Sequence, residues 1–264
     1  MMDLIVSHLP PEHPWRGQLH YFESIESTNT RAKEMALAGA PHGTVLLANA
    51  QTGGRGRMGR TFQSPPNAGI YMTVILRPQC PVSQLMHLTC ATATAVADAI
   101  FAGTDFRPGI KWTNDLVAGK RKLGGILTEL SASASGQVDW AIVGIGINCA
   151  QEEKDFPLEI RDIATSLQLC VGKPIDRAAV VAAMLVALEK MSRLLPDANA
   201  FLPQYRANCI TLGQEISILR GEEVRHGLAL DVNEEGALLV EFPDGHREFI
   251  QSGEVSIRGM YGYV

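Results

Sequence analysis

The chain has 264 residues, of which 46% are hydrophobic and 19% charged, a composition typical of a globular protein with a sizeable core. Its net charge of −5 argues against a general affinity for nucleic acid or an anionic membrane, so any cationic site must be local. Five scattered cysteines without a C-x-x-C pair favour reduced thiols. The N-terminus is a poor signal peptide, and apolar runs such as 178–188 are too short to span a bilayer. We therefore expect a soluble, cytoplasmic protein with neither nucleic acid nor membrane as partner.

Strand and helix patterns alternate irregularly along the first two hundred residues. Three polar residues that favour helix N-caps, Ser27, Thr28 and Asn29, precede the first predicted helix. A nearly continuous apolar run over 137–148 is typical of a central strand. Predicted strands cover 18–23, 44–50, 70–76, 110–112, 115–118, 123–131 and 137–148, and predicted helices cover 30–38, 82–102, 164–170, 177–195 and 200–206.

The character of the sequence changes near residues 208–212. Short alternating strands follow, separated by turns rich in Gly, Asn and Asp, which is typical of a small β-barrel or sandwich. We therefore predict three parts: an N-terminal extension (1–17), a large domain (18–209) and a small C-terminal domain (210–264). The predicted strands of the small domain cover 215–219, 224–232, 237–241, 247–251 and 254–257.

A glycine- and arginine-rich loop follows the second predicted strand, with the sequence Gln51-Thr-Gly-Gly-Arg-Gly-Arg-Met-Gly-Arg60. Between positions 53 and 60 it holds four glycines and three arginines, without an acidic residue. Glycine allows the backbone to approach a ligand closely, and arginine matches carboxylate or phosphate oxygens. The loop is either a binding site for an anion or a solvated surface loop.

Three other interpretations of this loop fail. A dinucleotide-binding G-x-G-x-x-G motif must open a helix and be followed by an acid about 20 residues later. Here Pro65 and Pro66 block a long helix, and the first acid after the loop is Asp98. A Walker A motif is absent from the sequence, and an RNA-binding Arg-Gly segment would be expected in a basic, low-complexity tract.

Three further stretches carry chemically distinctive residues. Lys111-Trp-Thr-Asn-Asp115 places a cation, two hydrogen-bonding side chains and a carboxylate at a strand end, although most such lysines only extend their ammonium to solvent. Lys122-Leu-Gly-Gly-Ile-Leu-Thr-Glu129 brings a double glycine into an apolar strand. In Val143-Gly-Ile-Gly-Ile-Asn148, alternating glycines indicate either close approach of a ligand or tight packing against another backbone.

In this order, the stretches resemble the biotin protein ligase family. The likeness rests on Ser27-Thr-Asn29, Gln51–Arg57 with Gly59-Arg60, Lys111-Trp-x-Asn-Asp115, Lys122–Leu127 and Gly144–Asn148, and it extends from about residue 18 to 258. Met58 stands where arginine is common and Thr113 where proline is usual. Nothing before residue 18 resembles the helix-turn-helix domain of the bifunctional repressor members.

The resemblance implies an α+β fold. Its catalytic domain would be of the class II synthetase-like biotin/lipoate ligase type, with a mixed, largely antiparallel central sheet and helices, and a small SH3-like β-barrel would form the C-terminal domain. The resemblance also implies that biotin and MgATP form biotinyl-5′-AMP, which then biotinylates a lysine of a biotin carboxyl carrier protein of the acetyl-CoA carboxylase type. No tightly bound cofactor is expected, and the protein would be a monomer or a homodimer. The implied catalytic residues are Arg57 and Lys111; the implied biotin-binding residues are Ser27, Thr28, Asn29, Gln51, Arg55, Gly56, Arg57, Lys111, Gly124 and Gly125; the implied nucleotide-binding residues are Arg55, Arg57, Arg60 and Asn148.

Some points stay open at this stage. Asp115 could hold Mg²⁺ or orient Lys111. The C-terminal domain could close the nucleotide site and help to dock the carrier, or could be purely structural. A lipoate ligase and a non-catalytic sensor of biotin or nucleotide that regulates transcription are the competing functions. The arginine loop and the Lys-Trp-x-Asn-Asp stretch favour biotin, and the acidic charge and missing DNA-binding domain disfavour the sensor.

Overall fold

A seven-stranded sheet organises the large domain of the protein, for which a computed structural model describes residues 1–220, 223–251 and 254–257. Its strands run in the order β1-β2-β3-β7-β6-β5-β4. β1 pairs with β2 in parallel, and the other neighbours are antiparallel. The strands are β1 (Leu19–Phe22), β2 (Thr44–Ala48), β3 (Gly69–Leu76), β4 (Gly109–Lys111), β5 (Asp115–Ala118), β6 (Arg121–Ala132) and β7 (Val138–Asn148).

The prediction of a central strand over 137–148 is confirmed, because β7 lies between β3 and β6. Val143, Ile145 and Ile147 join the large hydrophobic core on one face. Trp140 and Ile142 join a smaller cluster on the other face. Over its first half this strand is therefore covered on both faces, which explains the continuous apolar sequence there.

Six α-helices are described, and they cover the two faces of the sheet unequally. α3 and α5 pack against each other over the large core, whereas α2 covers the opposite face at one end only. The uncovered part of that face is where a cavity forms. The helices are α1 (Met2–His8), α2 (Thr28–Leu37), α3 (Leu88–Thr104), α4 (Leu167–Val171), α5 (Arg177–Leu194) and α6 (Leu202–Asn208).

Two helical regions differ from the sequence prediction. Residues 82–102 were expected to form one helix, but a short 3₁₀ turn (Val82–Leu85) precedes α3. By length and composition, Val82–Thr104 could also cross a membrane, which was not expected from the sequence. However, 72% of its most apolar 18-residue stretch is buried inside the fold. Because α3 packs against α5 and β6, its apolar character belongs to the core.

The N-terminal extension contains α1, which was not predicted. α1 packs against α5, and Arg16 donates to the carbonyls of Val6 at 2.8 Å and Leu9 at 3.0 Å, at the end of the helix. The Trp15 side chain, 2% exposed, occupies space that only glycine leaves at position 43, where an added Cβ would lie 2.1 Å from its ring. Residues 1–17 are thus anchored to the large domain by burial and helix capping.

A second, five-stranded antiparallel sheet forms the C-terminal part, in the order β11-β10-β9-β8-β12. The expected α+β fold with a small β domain is confirmed, although the end strands β11 and β12 do not pair within the described residues, so a closed barrel is not seen. The boundary at 209/210 stays a prediction and falls between α6 and β8. The strands are β8 (Glu215–Arg220), β9 (Glu223–Val232), β10 (Leu238–Glu241), β11 (Arg247–Ile250) and β12 (Glu254–Ile257).

Direct hydrogen bonds join this second sheet to the large domain. The Trp112 indole N–H donates to the Gly236 carbonyl at 2.9 Å, and the Trp112 backbone N–H donates to the Thr211 hydroxyl at 2.9 Å. Arg206 of α6 donates to the Val232 carbonyl at 3.0 Å through its Nε. Buried residues of both sheets belong to one continuous hydrophobic cluster. The C-terminal sheet therefore has a fixed position beside the end of β4.

Candidate active site

A cavity of about 330 Å³ lies on the face of the sheet that α2 leaves uncovered. The sequence stretches singled out above meet here, although they are far apart in the chain. Gly124 is the one predicted site residue that does not line the cavity. The predicted residues that do line it are Ser27, Thr28, Asn29, Gln51, Arg55, Gly56, Arg57, Arg60, Lys111, Asp115, Gly125 and Asn148.

Uncharged hydrogen-bonding groups cluster at the start of α2. Ser27 caps the helix and accepts a hydrogen bond from the Thr30 backbone N–H, which leaves the following residues pointing toward the sheet. The Gln51 side-chain oxygen accepts from the Thr28 backbone N–H at 2.8 Å and from its hydroxyl at 3.1 Å. The Thr28 hydroxyl also lies 2.8 Å from that of Thr73. This network fixes the rotamers of short polar side chains before a ligand binds.

Asn29 lies directly over the central strand because position 144 is glycine. A Cβ at Gly144 would lie 2.0 Å from the Asn29 side-chain oxygen. That oxygen is 2.7 Å from the Thr73 hydroxyl, and the Asn29 amide nitrogen donates to the Leu127 carbonyl and the Glu129 carboxylate, both at 3.3 Å. The first of the alternating glycines therefore makes room for a polar side chain at the cavity wall.

The second alternating glycine makes room for Phe62, which sequence reasoning missed. A Cβ at Gly146 would lie 2.7 Å from the Phe62 ring, and this ring meets Tyr71 edge to face. Burial raises the pKa of Tyr71, so its phenol remains protonated and donates to the Pro65 carbonyl at 3.0 Å. In the sequence, an aromatic residue just after a glycine-rich loop is only a weak indication of a binding site. The contact of Phe62 with the cavity wall becomes evident only from the position of Gly146 in β7.

The arginine loop closes over the cavity through its own backbone and through Arg57. Arg55 pairs with Thr61 in an isolated β-bridge, and the Gly56 N–H donates to the Arg60 carbonyl at 2.7 Å. The Arg57 guanidinium donates to the Asn114 side chain at 2.8 Å and to the Thr113 hydroxyl at 3.2 Å. The loop is thus tied to the end of β4, where the Lys-Trp-x-Asn-Asp stretch lies.

The Asp115 carboxylate is paired with Lys122, which was not among the predicted site residues. The Lys122 ammonium lies 2.7 Å from the carboxylate, and both side chains line the cavity. Lys122 is also within 3.6 Å of the space a Cβ at Gly125 would occupy. The sequence contained this lysine directly before the double glycine, but only the pairing of β5 with β6 brings it to Asp115.

The double glycine divides into two structural roles. Gly125 faces the cavity, where its missing side chain leaves space beside Lys122. At Gly124 an added Cβ would lie 2.5 Å from the Gly146 carbonyl and 2.6 Å from the Ile147 side chain. The expected contribution of Gly124 to space for the ligand is therefore not seen; this glycine permits close pairing of β6 with β7.

Asn148 ends β7 at the far side of the cavity. Its amide nitrogen donates to the Thr165 carbonyl at 3.0 Å, and its side-chain oxygen accepts from Gln151 at 3.3 Å. The segment after β7 supplies apolar wall residues there, among them Phe156 and Ile160. The far end therefore offers an oriented amide beside an apolar surface, which suits a flat heterocycle.

The charge around the cavity is positive although the whole protein is acidic. Among the described lining residues, five are cationic and two carry carboxylates, Asp115 and Asp155. Fixed cations in a partly enclosed site stabilise developing negative charge more strongly than they would in water. The cationic lining residues are Arg55, Arg57, Arg60, Lys111 and Lys122.

A protein-only metal site is not found. Within the described part of the chain, no group of three or more His, Cys, Asp or Glu side chains is placed to hold a metal ion. Mg²⁺ in nucleotide sites is commonly held by one or two carboxylates together with substrate phosphates. The cavity fits that arrangement, since Asp115 is a lining carboxylate that lies 2.7 Å from the Lys122 ammonium, within the cationic part of the site.

Comparison with known proteins agrees with this architecture. The chain matches the Biotin/lipoate A/B protein ligase family over residues 21–148 and the Biotin protein ligase C terminal domain over residues 211–258. It is 38% identical over 242 residues to the bifunctional ligase/repressor BirA of Bacillus spizizenii, covering 90% of this chain and 74% of that protein. It is 33% identical over 249 residues to the biotin–[acetyl-CoA-carboxylase] ligase of Mycobacterium tuberculosis, covering 91% and 89%.

A solved structure of a biotin protein ligase has a similar fold. The biotin protein ligase from Aquifex aeolicus in complex with biotin and ATP superimposes with a TM-score of 0.77 at 32% identity, covering 91% of this chain and 98% of that one. The chain therefore belongs to the biotin/lipoate protein ligase family. Within that family it is a biotin ligase, which activates biotin with ATP and transfers the biotinyl group.

Proposed function

We propose that the cavity binds biotin at the Ser27–Asn29 end and the adenylate between the arginine loop and Asn148. The ureido ring of biotin is neutral and has two N–H donors and one carbonyl acceptor. The matching groups are the short polar side chains at the start of α2 and Gln51, all lining one end of the cavity. The fused thiophane ring would lie against the apolar sheet residues, and the valeryl chain would lead to the cations.

The observation that carries the proposal is the division of one cavity into an uncharged polar end and a cationic end. Biotinyl-AMP has the same division: a neutral, hydrogen-bonding ring at one end and a mixed carboxylic–phosphoric anhydride further along. The dithiolane ring of lipoate has no N–H or carbonyl group, so it could not hydrogen-bond to the polar end. Sites built to hydrogen-bond a substrate reject analogues that lack those groups. Biotin is therefore the favoured acid.

In the first step a biotin carboxylate oxygen attacks the α-phosphorus of ATP. The new P–O bond forms as the bond to the bridging oxygen of pyrophosphate breaks, and pyrophosphate leaves with the electron pair. Arg55, Arg57, Lys111 and Lys122 neutralise the approaching anions and the charge that develops on the phosphoryl oxygens. Asp115 holds the Lys122 ammonium at 2.7 Å, which fixes one of these cations in place.

Mg²⁺ would enter with the triphosphate, with Asp115 as the available carboxylate; when bound, it supplies further neutralisation of phosphate charge. Arg60, at the exposed end of the loop, would contact the nucleotide phosphates. The Asn148 amide, oriented by Thr165 and Gln151, would recognise the adenine edge. These roles follow from position and from the donor and acceptor chemistry of the side chains.

The second step transfers the biotinyl group to the lysine of a biotin carboxyl carrier protein. The acetyl-CoA carboxylase carrier is the proposed partner, because the similar mycobacterial protein is a biotin–[acetyl-CoA-carboxylase] ligase. The C-terminal sheet would close the nucleotide end and help to position the carrier, since Trp112 ties this sheet to the site. We place the reaction in the cytoplasm, with the protein acting as a monomer or homodimer.

The decisive experiment incubates the protein with labelled biotin, MgATP and a carrier domain, alongside a carrier whose target lysine is replaced by arginine. We expect label on the intact carrier only, with one AMP and one pyrophosphate released per biotin. Preferential use of lipoate would refute the choice of biotin over lipoate. Absence of biotin-dependent AMP formation with an active carrier would refute the enzyme and favour a sensor.

A further inference from the structure

A second cavity, of about 210 Å³, lies at the junction between the large domain and the C-terminal sheet. It shares Arg57, Ile126 and Leu127 with the first cavity, so the two cavities adjoin along β6 and at Arg57 of the cationic group. Its other walls come from the start of α3 and the residues before it, the segment after β4, the middle of β6, the residue after β11 and the turn between β9 and β10. These residues are Met86, Thr89, Cys90, Thr113, Thr128, Glu235, Gly236, Ala237 and Gln251.

We propose that this second cavity admits the acceptor lysine side chain of the carrier to the biotinyl carbonyl, an inference that rests on the proposed function. A cavity of about 330 Å³ is near the lower end of the range for a single ligand, and biotinyl-AMP would fill it. The amine therefore needs a separate approach. The second cavity offers one that reaches Arg57, the residue also placed beside the carboxylate and phosphate in the first cavity.

The walls of the second cavity suit a lysine side chain. Met86, Ile126, Leu127 and Ala237 offer apolar surface for the four methylene groups. The turn between β9 and β10 belongs to the C-terminal sheet, whereas the first turn of α3 belongs to the large domain. A folded carrier that inserts one lysine here would therefore rest on both domains at once.

The charges of the second cavity change from its exposed rim to its inner end. Glu235 is exposed and is the only carboxylate among the described lining residues. It would attract the incoming ammonium. Arg57 lies at the inner end, hydrogen-bonded to Thr113 at 3.2 Å, and a neighbouring cation favours the neutral form of an amine. The gradient thus draws in the charged lysine and favours its nucleophilic form beside the anhydride.

In the transfer step the ammonium first loses one proton to solvent, and the neutral nitrogen then attacks the biotinyl carbonyl carbon. The C–N bond forms, the bond between the carbonyl carbon and the phosphate oxygen breaks, and AMP leaves with the electron pair. The second nitrogen proton passes to the departing phosphate oxygen, which leaves a neutral amide.

Two variants test this inference through the two half-reactions. Glu235→Gln removes the carboxylate at the rim, and Thr89→Phe fills the cavity with an aromatic ring. Adenylation is followed by biotin-dependent exchange of pyrophosphate into ATP, and transfer by a single turnover from preformed biotinyl-AMP to the carrier. We expect both variants to retain exchange. Glu235→Gln should raise the carrier concentration for half-maximal transfer about threefold to fivefold at low salt, and less at high salt. Thr89→Phe should slow transfer about 100-fold.

Matched controls lie in the same segments. Glu234 is the exposed neighbour of Glu235 and does not line the cavity, and Ser83 is an exposed residue before α3 that also lies outside it. Glu234→Gln and Ser83→Phe should transfer like the wild type. Thermal unfolding checks that each variant is folded; if Thr89→Phe is not, the salt-dependent effect of Glu235→Gln decides.

The results separate this inference from the proposed function. Transfer at the wild-type rate in both test variants, with exchange intact, would overturn the route for lysine and leave the ligase activity standing. Equal loss of exchange and transfer would also overturn it, because the cavity would then serve the nucleotide. A wild-type protein without biotin-dependent exchange would refute the proposed function itself.

Discussion

Arg57→Ala should release biotinyl-AMP from the site by removing the connection that holds the arginine loop closed. The Arg57 guanidinium donates to Asn114 at 2.8 Å and to Thr113 at 3.2 Å. A hydrogen bond from a charged group contributes about 1.5 to 3 kcal/mol. Because Arg57 is only half-buried and the two bonds share one side chain, we take about 2 kcal/mol for both. The closed state should therefore lose a factor of about 30 relative to the open one.

The dissociation rate of labelled biotinyl-AMP, measured by chase with unlabelled biotin and ATP, reports this change. It should rise about 30-fold in Arg57→Ala and about fivefold in Thr113→Val, which loses only the weaker bond. Because the two residues share that bond, adding Thr113→Val to Arg57→Ala should have no further effect. Arg57→Lys separates charge from geometry, since lysine keeps the cation but loses the planar fork.

Two results would refute this reasoning. Retention of the adenylate by Arg57→Ala as tightly as by the wild type would show that the loop is held closed by other contacts. Fully additive effects of the two substitutions would show that Arg57 and Thr113 act independently. Arg31→Ala, which removes an exposed arginine paired with Glu34 on α2, is the control and should leave the dissociation rate unchanged.

Three further predictions concern the polar end, the cationic end and the fold. Gly144→Ala places a Cβ 2.0 Å from the Asn29 side-chain oxygen, so the KM for biotin should rise about tenfold or more. Gly17→Ala, with open space around it, is the control and should leave the KM unchanged. Equal KM values for the two variants would contradict this prediction. Lys122→Met should slow pyrophosphate exchange about 100-fold, and an unchanged rate would remove this lysine from the mechanism. Burial lowers the pKa of His13 below 6.5, so the folded state binds fewer protons than the unfolded chain, and stability is lost as the pH falls below about 6.5. His13→Gln should therefore flatten the fall in melting temperature between about pH 7.5 and pH 5, and an unchanged pH profile would contradict this.

Elements with strong local signals could be predicted from the sequence. β7 is a continuous apolar run, and α5 begins at Asp176, whose carboxylate accepts from the backbone N–H groups of Ala178 and Ala179, and ends before Pro196. α1 could not be predicted in the same way. Its seven residues are too few to form an isolated helix, and it is held by packing on α5 and by Arg16, which follows it in the chain.

The candidate site could be predicted in part for a similar reason. Residue types indicated the cationic groups, because arginine and glycine suit an anionic ligand, whereas the polar groups were implied by the family resemblance. The roles of the glycines depended on the register between strands, which the sequence does not encode locally. Gly124 and Gly125 are neighbours, yet one faces the partner strand and the other faces the cavity. Phe62 and Lys122 were missed because each lines the site through a contact that forms only in the folded chain. Phe62 packs over Gly146, and Lys122 forms an ion pair with Asp115.

The arginine loop contributes to both cavities through Arg57. Arg57 belongs to the walls of both cavities, and its bonds to Thr113 and Asn114 tie it to the end of β4. One residue away, Trp112 ties that strand end to the C-terminal sheet. Closure of the loop over the adenylate and the position of the C-terminal sheet are therefore set through neighbouring residues. Protection of the anhydride from water and access for the carrier lysine are opposing requirements, and under the proposed route the shared wall at Arg57 would allow both to be met while the loop remains closed.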